Sequence, residues 1–254
     1  MTRSHSQAPV GLSVHAARLE YGGEALFADL DFTLPAGGWT CVLGPSGIGK
    51  TSLLRLIAGL VEPWEGSRVT CTDGAPLAGR AAFMAQQDLL LPWLTTLQNV
   101  LLGERLRGGA DGEAAGTNAR NLLDCVGLSG KARALPATLS GGQRQRVALA
   151  RTLMENRQVV LMDEPFSGLD AITRHRHQDL AAELLDGRTV LLVTHDPLEA
   201  LRLGHRIHVM SGRPAVLDQA LTLPGDPPRD VTEPEIQRQH AELLTRLAAA
   251  KEAA

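Results

Sequence analysis

Little in this chain is aromatic: Phe, Trp and Tyr make up 3% of its 254 residues, and Tyr21 is the one tyrosine. A core of that composition has to be built from Leu, Val, Ile and Ala. Cysteine is as sparse. Cys41, Cys71 and Cys125 are odd in number, scattered and outside any CxxC pair, which excludes a disulfide framework and suits reduced thiols. No run reaches the roughly 18 apolar residues of a membrane helix, so any membrane role has to come through a partner. The opening MTRSHSQAPVG has no apolar segment of the kind a secretory leader needs, and the expectation is a protein kept inside the cell. Lysine is nearly missing too: Lys50, Lys131 and Lys251 stand among 25 basic residues. The net charge of -3 argues against a protein whose main task is to hold nucleic acid.

What is present, 44% hydrophobic and 21% charged residues, fits one large globular domain or a domain with a subdomain. Residues 1–11 read as a disordered N-terminus, 12–215 as the main domain, and 216–254 as a tail with a short helix opened by a capping box, Thr232-x-x-Glu235. From Leu12 to Leu34 the sequence reads as short strands broken at Tyr21-Gly-Gly-Glu24. Thr40–Gly44 is a short apolar run ending in glycine, and Leu53, Leu54, Leu56 and Ile57 then recur at helical spacing. Strand-length segments at 80–85, 158–162, 188–193 and 206–210 alternate with helical patterns over 171–185 and 197–203. That alternation predicts an α/β fold with a mainly parallel sheet. Between about 92 and 156 the pattern is helical instead (95–107, 114–126, 141–154), which predicts a helical subdomain inserted into the α/β core.

Gly44-Pro-Ser-Gly47-Ile-Gly49-Lys50-Thr51 fits GxxxxGK[ST] between the expected strand and helix. Glycines let successive N–H groups turn toward a phosphate, and the helix start adds positive potential. Gly44, Pro45, Ser46, Gly47, Gly49, Lys50, Thr51 and Ser52 are therefore read as the nucleotide cradle. Lys50, expected at a solvent-filled cleft, reaches the β- and γ-phosphates, and the Thr51 hydroxyl ligates Mg²⁺. VVLMDE (159–164) supplies a buried strand ending in two carboxylates. Asp163 is placed near the metal, and Glu164 faces the γ-phosphate to orient or deprotonate the attacking water. These motifs describe a P-loop NTPase.

Leu139-Ser140-Gly141-Gly142-Gln143, followed by RQRVALAR, resembles the signature motif of the ABC ATPases, and the motifs run in that family's order from residue 13 to about 215. The resemblance implies a P-loop NTPase core of ABC ATPase type, with an N-terminal antiparallel β-subdomain and an inserted helical subdomain. It also implies that Ser140, Gly141, Gly142 and Gln143 cap the ATP held by a second copy, so that ATP binding makes a homodimer. Tyr21 matches the aromatic that stacks on adenine. Gln86 matches the glutamine that approaches Mg²⁺ and water; Gln87 is adjacent, and the choice rests on the spacing to Leu-Leu-Pro-Trp93. Asp170 lies in the loop that links the two nucleotide sites, with Gly168 in place of the alanine often found there. His195, after TVLLVT, resembles the histidine that contacts the γ-phosphate.

The chain holds one cassette, as import-type members do, which implies permease subunits in the membrane, an extracytoplasmic solute-binding protein acting through them, and a place at the cytoplasmic face of the membrane. Gln-x-x-x-Leu-Leu-Pro-Trp and Pro228-Arg229-Asp230 resemble the nitrate, sulfonate and taurine importer branch. Within it, MAQQDLLLPWL and LPATLSGG resemble the ATPase of the hydroxymethylpyrimidine (thiamine precursor) importer. The expected function is thus to power import of a small solute of one of these kinds. The alternative is a soluble ABC ATPase that remodels a non-membrane target.

Overall fold

Runs that are almost wholly apolar and runs that alternate fold differently in this chain. In the computed structural model, which describes residues 8–62, 64–109 and 112–253, the elements are β1 (Leu12–Tyr21), β2 (Glu24–Leu34), β3 (Trp39–Leu43), α1 (Lys50–Ile57), β4 (Arg68–Cys71), β5 (Ala81–Met84), α2 (Thr96–Val100), α3 (Leu102–Leu106), α4 (Glu113–Cys125), α5 (Gly141–Met154), β6 (Val159–Asp163), α6 (Ala171–Leu184), β7 (Thr189–Val193), α7 (Pro197–Leu203), β8 (Arg206–Ser211), β9 (Val216–Leu217), β10 (Leu221–Thr222) and α8 (Pro234–Glu252). They fall into two units, one of Met1–Ala81, Gln158–Glu164 and Asp186–Ala254, the other of Ala82–Arg157 and Pro165–Leu185.

In the first unit β3, β6 and β7 are buried at all five positions, the pattern of strands covered on both faces. They pair in parallel within the order β10-β8-β3-β7-β6. Their register sets where the strands end. Val42 pairs with Val193, and Val193 pairs with Asp163, so the carboxyl ends of β3, β7 and β6 finish level with one another. The loops that leave them emerge together, at the edge where parallel α/β sheets bind ligands. β1 and β2, in contrast, alternate and form an antiparallel sheet with β4, in the order β2-β1-β4. They are long strands of 10 and 11 residues joined across Gly22-Gly23, where short strands were expected.

The second unit is helical. Val147, Ala150 and Met154 of α5 share a stripe and close on Val100, Ala119, Leu123 and Val126. The helix expected over 95–107 is two, meeting at Leu101, whose ψ of -4° flattens the turn between them.

Both ends of the chain differ from expectation. The segment expected to be disordered falls, for residues 1–7, outside the described residues. Val10 and Gly11 are packed, and the Gly11 N–H donates to Thr72 Oγ1 at 3.0 Å. The terminal helix is not short: α8 runs for 19 residues and buries Ile236, Leu243 and Ala250. Nor does the capping box form. Thr232 turns both its N–H and its hydroxyl toward Asp230 Oδ1, at 2.8 and 2.7 Å, which leaves Glu233 as the cap with no side-chain bond. Pro234 then opens the helix, where its missing N–H costs nothing.

Candidate functional site

The loop after β3 is built by its glycines. Gly44 (φ 156°) cannot carry a Cβ, which would lie 2.7 Å from the Met210 carbonyl oxygen. Gly49 (φ 111°) occupies the left-handed region, and a Cβ there would lie 2.9 Å from Leu26 Cγ. Gly49 is also the N-cap of α1, with no side chain capping the helix and no acidic residue in its first turn. The helix start therefore keeps its unpaired N–H groups and positive end for an anion. A phosphate group fits.

Lys50, expected at a solvent-filled cleft, is buried, because its ammonium folds back onto its own loop, donating to Gly44 O at 2.8 Å and Pro45 O at 2.9 Å. Two of its three N–H donors are engaged there. Burial lowers its pKa, while the charges of Glu164 and Asp163 oppose that fall. Thr51 Oγ1 donates to Asp163 Oδ1 at 3.0 Å. Burial lifts the Asp163 carboxyl above its ordinary value, and the Thr51 bond works the other way. A hydroxyl and a carboxylate side by side are hard oxygen donors, and a dication would relieve the buried charge of Asp163. The pair fits Mg²⁺.

One residue on, Glu164 has φ 44°, a conformation that costs a non-glycine residue about 1–3 kcal/mol and collects at functional sites. Its N–H donates to Val193 O at 2.9 Å, which pins the turn to β7. Its carboxylate Oε2 meets His195 Nδ1 at 3.0 Å. His195 leaves the end of β7, and Asp196 behind it caps α7 through Leu198 N at 2.9 Å. The structure thus brings Lys50, Thr51, Asp163, Glu164 and His195 to one edge of one sheet. Beside the glycine loop, Tyr21 is 54% exposed and borders a cleft of about 200 Å³ together with Glu24, Leu26, Gly47 and Arg213. Sequence reasoning missed Glu24 and Arg213, which belong to no motif.

In the second unit Ser140 and Asp170 are helix caps. Ser140 Oγ accepts from Gln143 N at 3.2 Å, and Gln143 Oε1 accepts from Ser140 N at 3.0 Å, a reciprocal box at the start of α5. The Gln143 side chain, expected at a nucleotide, is thereby engaged in the cap, while the Ser140 hydroxyl keeps its proton to donate. Asp170 Oδ1 accepts from Thr173 N at 3.0 Å, and that bond holds its pKa down. Beneath Gly142 lies His177 of α6, its Cε1 3.9 Å from where a Cβ on Gly142 would stand; burial lowers its pKa to about 4, so it is neutral near pH 7.

Gln86 follows β5, and the loop after it is held from behind by Asn99, fully buried. Its Nδ2 donates to Leu91 O, Leu94 O and Thr95 O at 3.1–3.2 Å, and its Oδ1 accepts from Leu91 N at 2.8 Å. Arg144 Nε reaches Asp88 Oδ2 at 2.9 Å, and Arg151 reaches Leu89 O at 2.8 Å. So braced, the loop presents Trp93, 71% exposed, and Leu89. Asn99→Ala strips bonds from buried main-chain groups and is expected to destabilise the chain by about 2–4 kcal/mol in urea unfolding. A midpoint unchanged from wild type would contradict that reading of Asn99.

Residues 27–167 match a protein-family model described as ABC transporter. The chain is 41% identical over 242 residues to the aliphatic sulfonates import ATP-binding protein SsuB 2 of Burkholderia cenocepacia, covering 93% of this chain and 87% of that protein. It is 42% identical over 238 residues to SsuB 1 of Pseudomonas savastanoi pv. phaseolicola, covering 93% and 95%. Among solved structures it is similar to the ATP-binding cassette MJ0796, dimeric and bound to ADP and Pi in a post-hydrolysis state, with a TM-score of 0.72 and 31% identity over 84% of this chain and 99% of that one.

Proposed function

The chain belongs to the ABC transporter family of ATPases, and from that premise we propose that it is the ATP-hydrolysing subunit of an importer for small organic sulfonates. The observation that carries the hydrolytic part is the level ending of β3, β6 and β7, with Lys50, the Thr51–Asp163 pair and the Glu164–His195 pair gathered at that edge. Lys50 and the open start of α1 hold the β- and γ-phosphates of ATP. Glu164 orients the attacking water and takes its proton, while His195 fixes the carboxylate in place. Thr51 and Asp163 hold Mg²⁺, which offsets the charge of the phosphates; Gln86 is assigned to the same ion and to the water. Tyr21 stacks on adenine. Ser140, Gly141 and Gly142 close over ATP bound to a second copy, and Asp170 stands in the loop between the two sites.

Among the described residues no helix is long and apolar enough to cross a membrane. The proposed attachment is therefore through permease subunits at the cytoplasmic face, with the Trp93 loop as the contact and an extracytoplasmic binding protein delivering solute. Two relatives named for aliphatic sulfonates support this solute class over the pyrimidine that local segments resemble. The test is reconstitution with the permease and binding protein of a sulfonate importer. Alkanesulfonates should stimulate ATP hydrolysis in vesicles, and Trp93→Ala should reduce co-purification with the permease while ATP still binds. Stimulation by hydroxymethylpyrimidine alone would return the assignment to the thiamine-precursor branch. Failure to co-purify with any membrane protein would favour the soluble remodelling alternative.

A further inference from the structure

Arg229, in the tail segment Pro228-Arg229-Asp230, is only 8% exposed, and every acceptor of its guanidinium is a main-chain carbonyl. Nη1 donates to Gly204 O at 2.7 Å and Leu201 O at 3.3 Å, Nε to Pro224 O at 2.9 Å, and Nη2 to Gly225 O at 2.6 Å. Its main chain is engaged as well. The Arg229 N–H donates to Arg202 O at 2.9 Å, and the Arg229 carbonyl accepts from Arg202 Nη1 at 2.8 Å.

Leu201, Arg202 and Gly204 form the carboxyl end of α7, where helix carbonyls have no partner within the helix and a cation is favoured by the helix dipole. One residue from the tail therefore binds three carbonyls at this end, those of Leu201 and Gly204 through its guanidinium and that of Arg202 through its N–H. The opposite end of α7 is capped by the Asp196 carboxylate, and His195 is the residue before it. With seven residues, α7 is a rod of about 10 Å, fixed at one end by the tail and carrying the histidine of the His195–Glu164 pair at the other.

We propose that Arg229 is a positioning residue for hydrolysis: by clamping the carboxyl end of α7 it sets the place of His195 against Glu164. This rests on the reading of that pair as hydrolytic. Arginine suits the task because its planar fork has five donors that reach carbonyls lying in different directions, whereas a lysine ammonium is a point donor on a flexible stem. Positioning through α7 makes a prediction that simple tail anchoring does not: the effect of altering Arg229 has to vanish when His195 is absent.

The test compares wild type, Arg229→Lys, His195→Ala and the double variant, measuring turnover at saturating ATP and the Kd of a fluorescent ATP analogue. Arg229→Lys should lower turnover by about 10–100-fold, the scale of a small displacement of a catalytic group, with Kd unchanged. The double variant should be no slower than His195→Ala alone, since residues that act as one unit do not add. If Lys in this buried place prevents folding, the neutral Arg229→Gln carries the same comparison. Turnover that stays at wild-type level in the Arg229 variant, or losses that multiply in the double variant, would overturn the proposal. Wild-type turnover in His195→Ala would instead overturn the reading of the His195–Glu164 pair on which it rests.

Discussion

Glu164→Gln is expected to reduce ATP turnover by about 10²–10⁴-fold, the usual contribution of a general base, while ATP binds as before. Glutamine keeps the size of the side chain and can still meet His195 Nδ1, which lies 3.0 Å from Glu164 Oε2. It retains the main-chain bond to Val193 that fixes the strained turn. What it loses is the negative charge that polarises water. Binding is assigned elsewhere in the proposed site, to Lys50 and the start of α1. Phosphate release measured beside nucleotide affinity separates the two, and turnover within a few-fold of wild type would remove Glu164 from the base's role.

Lys50→Ala should be as severe by another route. The ammonium already lies in the loop, held by two carbonyls at 2.8 and 2.9 Å, so the charge is in place before ATP arrives. Charge-assisted bonds to phosphate contribute about 1.5–3 kcal/mol each, which corresponds to a loss of affinity on the order of 10–100-fold, with hydrolysis abolished. Stability of the nucleotide-free protein should move by about 1 kcal/mol or less. Removing a buried charge relieves a desolvation penalty, but Gly44 and Pro45 lose their donor, and the two effects oppose each other. Hydrolysis at near the wild-type rate would contradict the phosphate-loop assignment.

The fold was legible where the chemistry is local. Short, mainly apolar runs such as Thr189–Val193 announce buried parallel strands, and GxxxxGK[ST] needs its glycines whatever surrounds it. Asp163 and Glu164 followed from their place at a strand's end. What the sequence hid depends on distant backbone. Asn99 and Arg229 bond main-chain carbonyls, and carbonyls leave no mark in a sequence. The start of α8 was misplaced because Thr232 found a nearer partner in Asp230. Lys50 was expected in solvent, since nothing in the motif reveals that its ammonium folds back onto its own loop.

The most direct test of ATP shared between two copies is light scattering on Glu164→Gln with saturating ATP. With hydrolysis stopped, each nucleotide should stay gripped by Lys50 of one copy and Ser140 of the other, and the mass should double relative to the nucleotide-free protein. Ser140→Arg added to Glu164→Gln should abolish the shift by filling the space of the opposite γ-phosphate. A Glu164→Gln protein that binds ATP yet stays monomeric at high concentration would contradict the shared site.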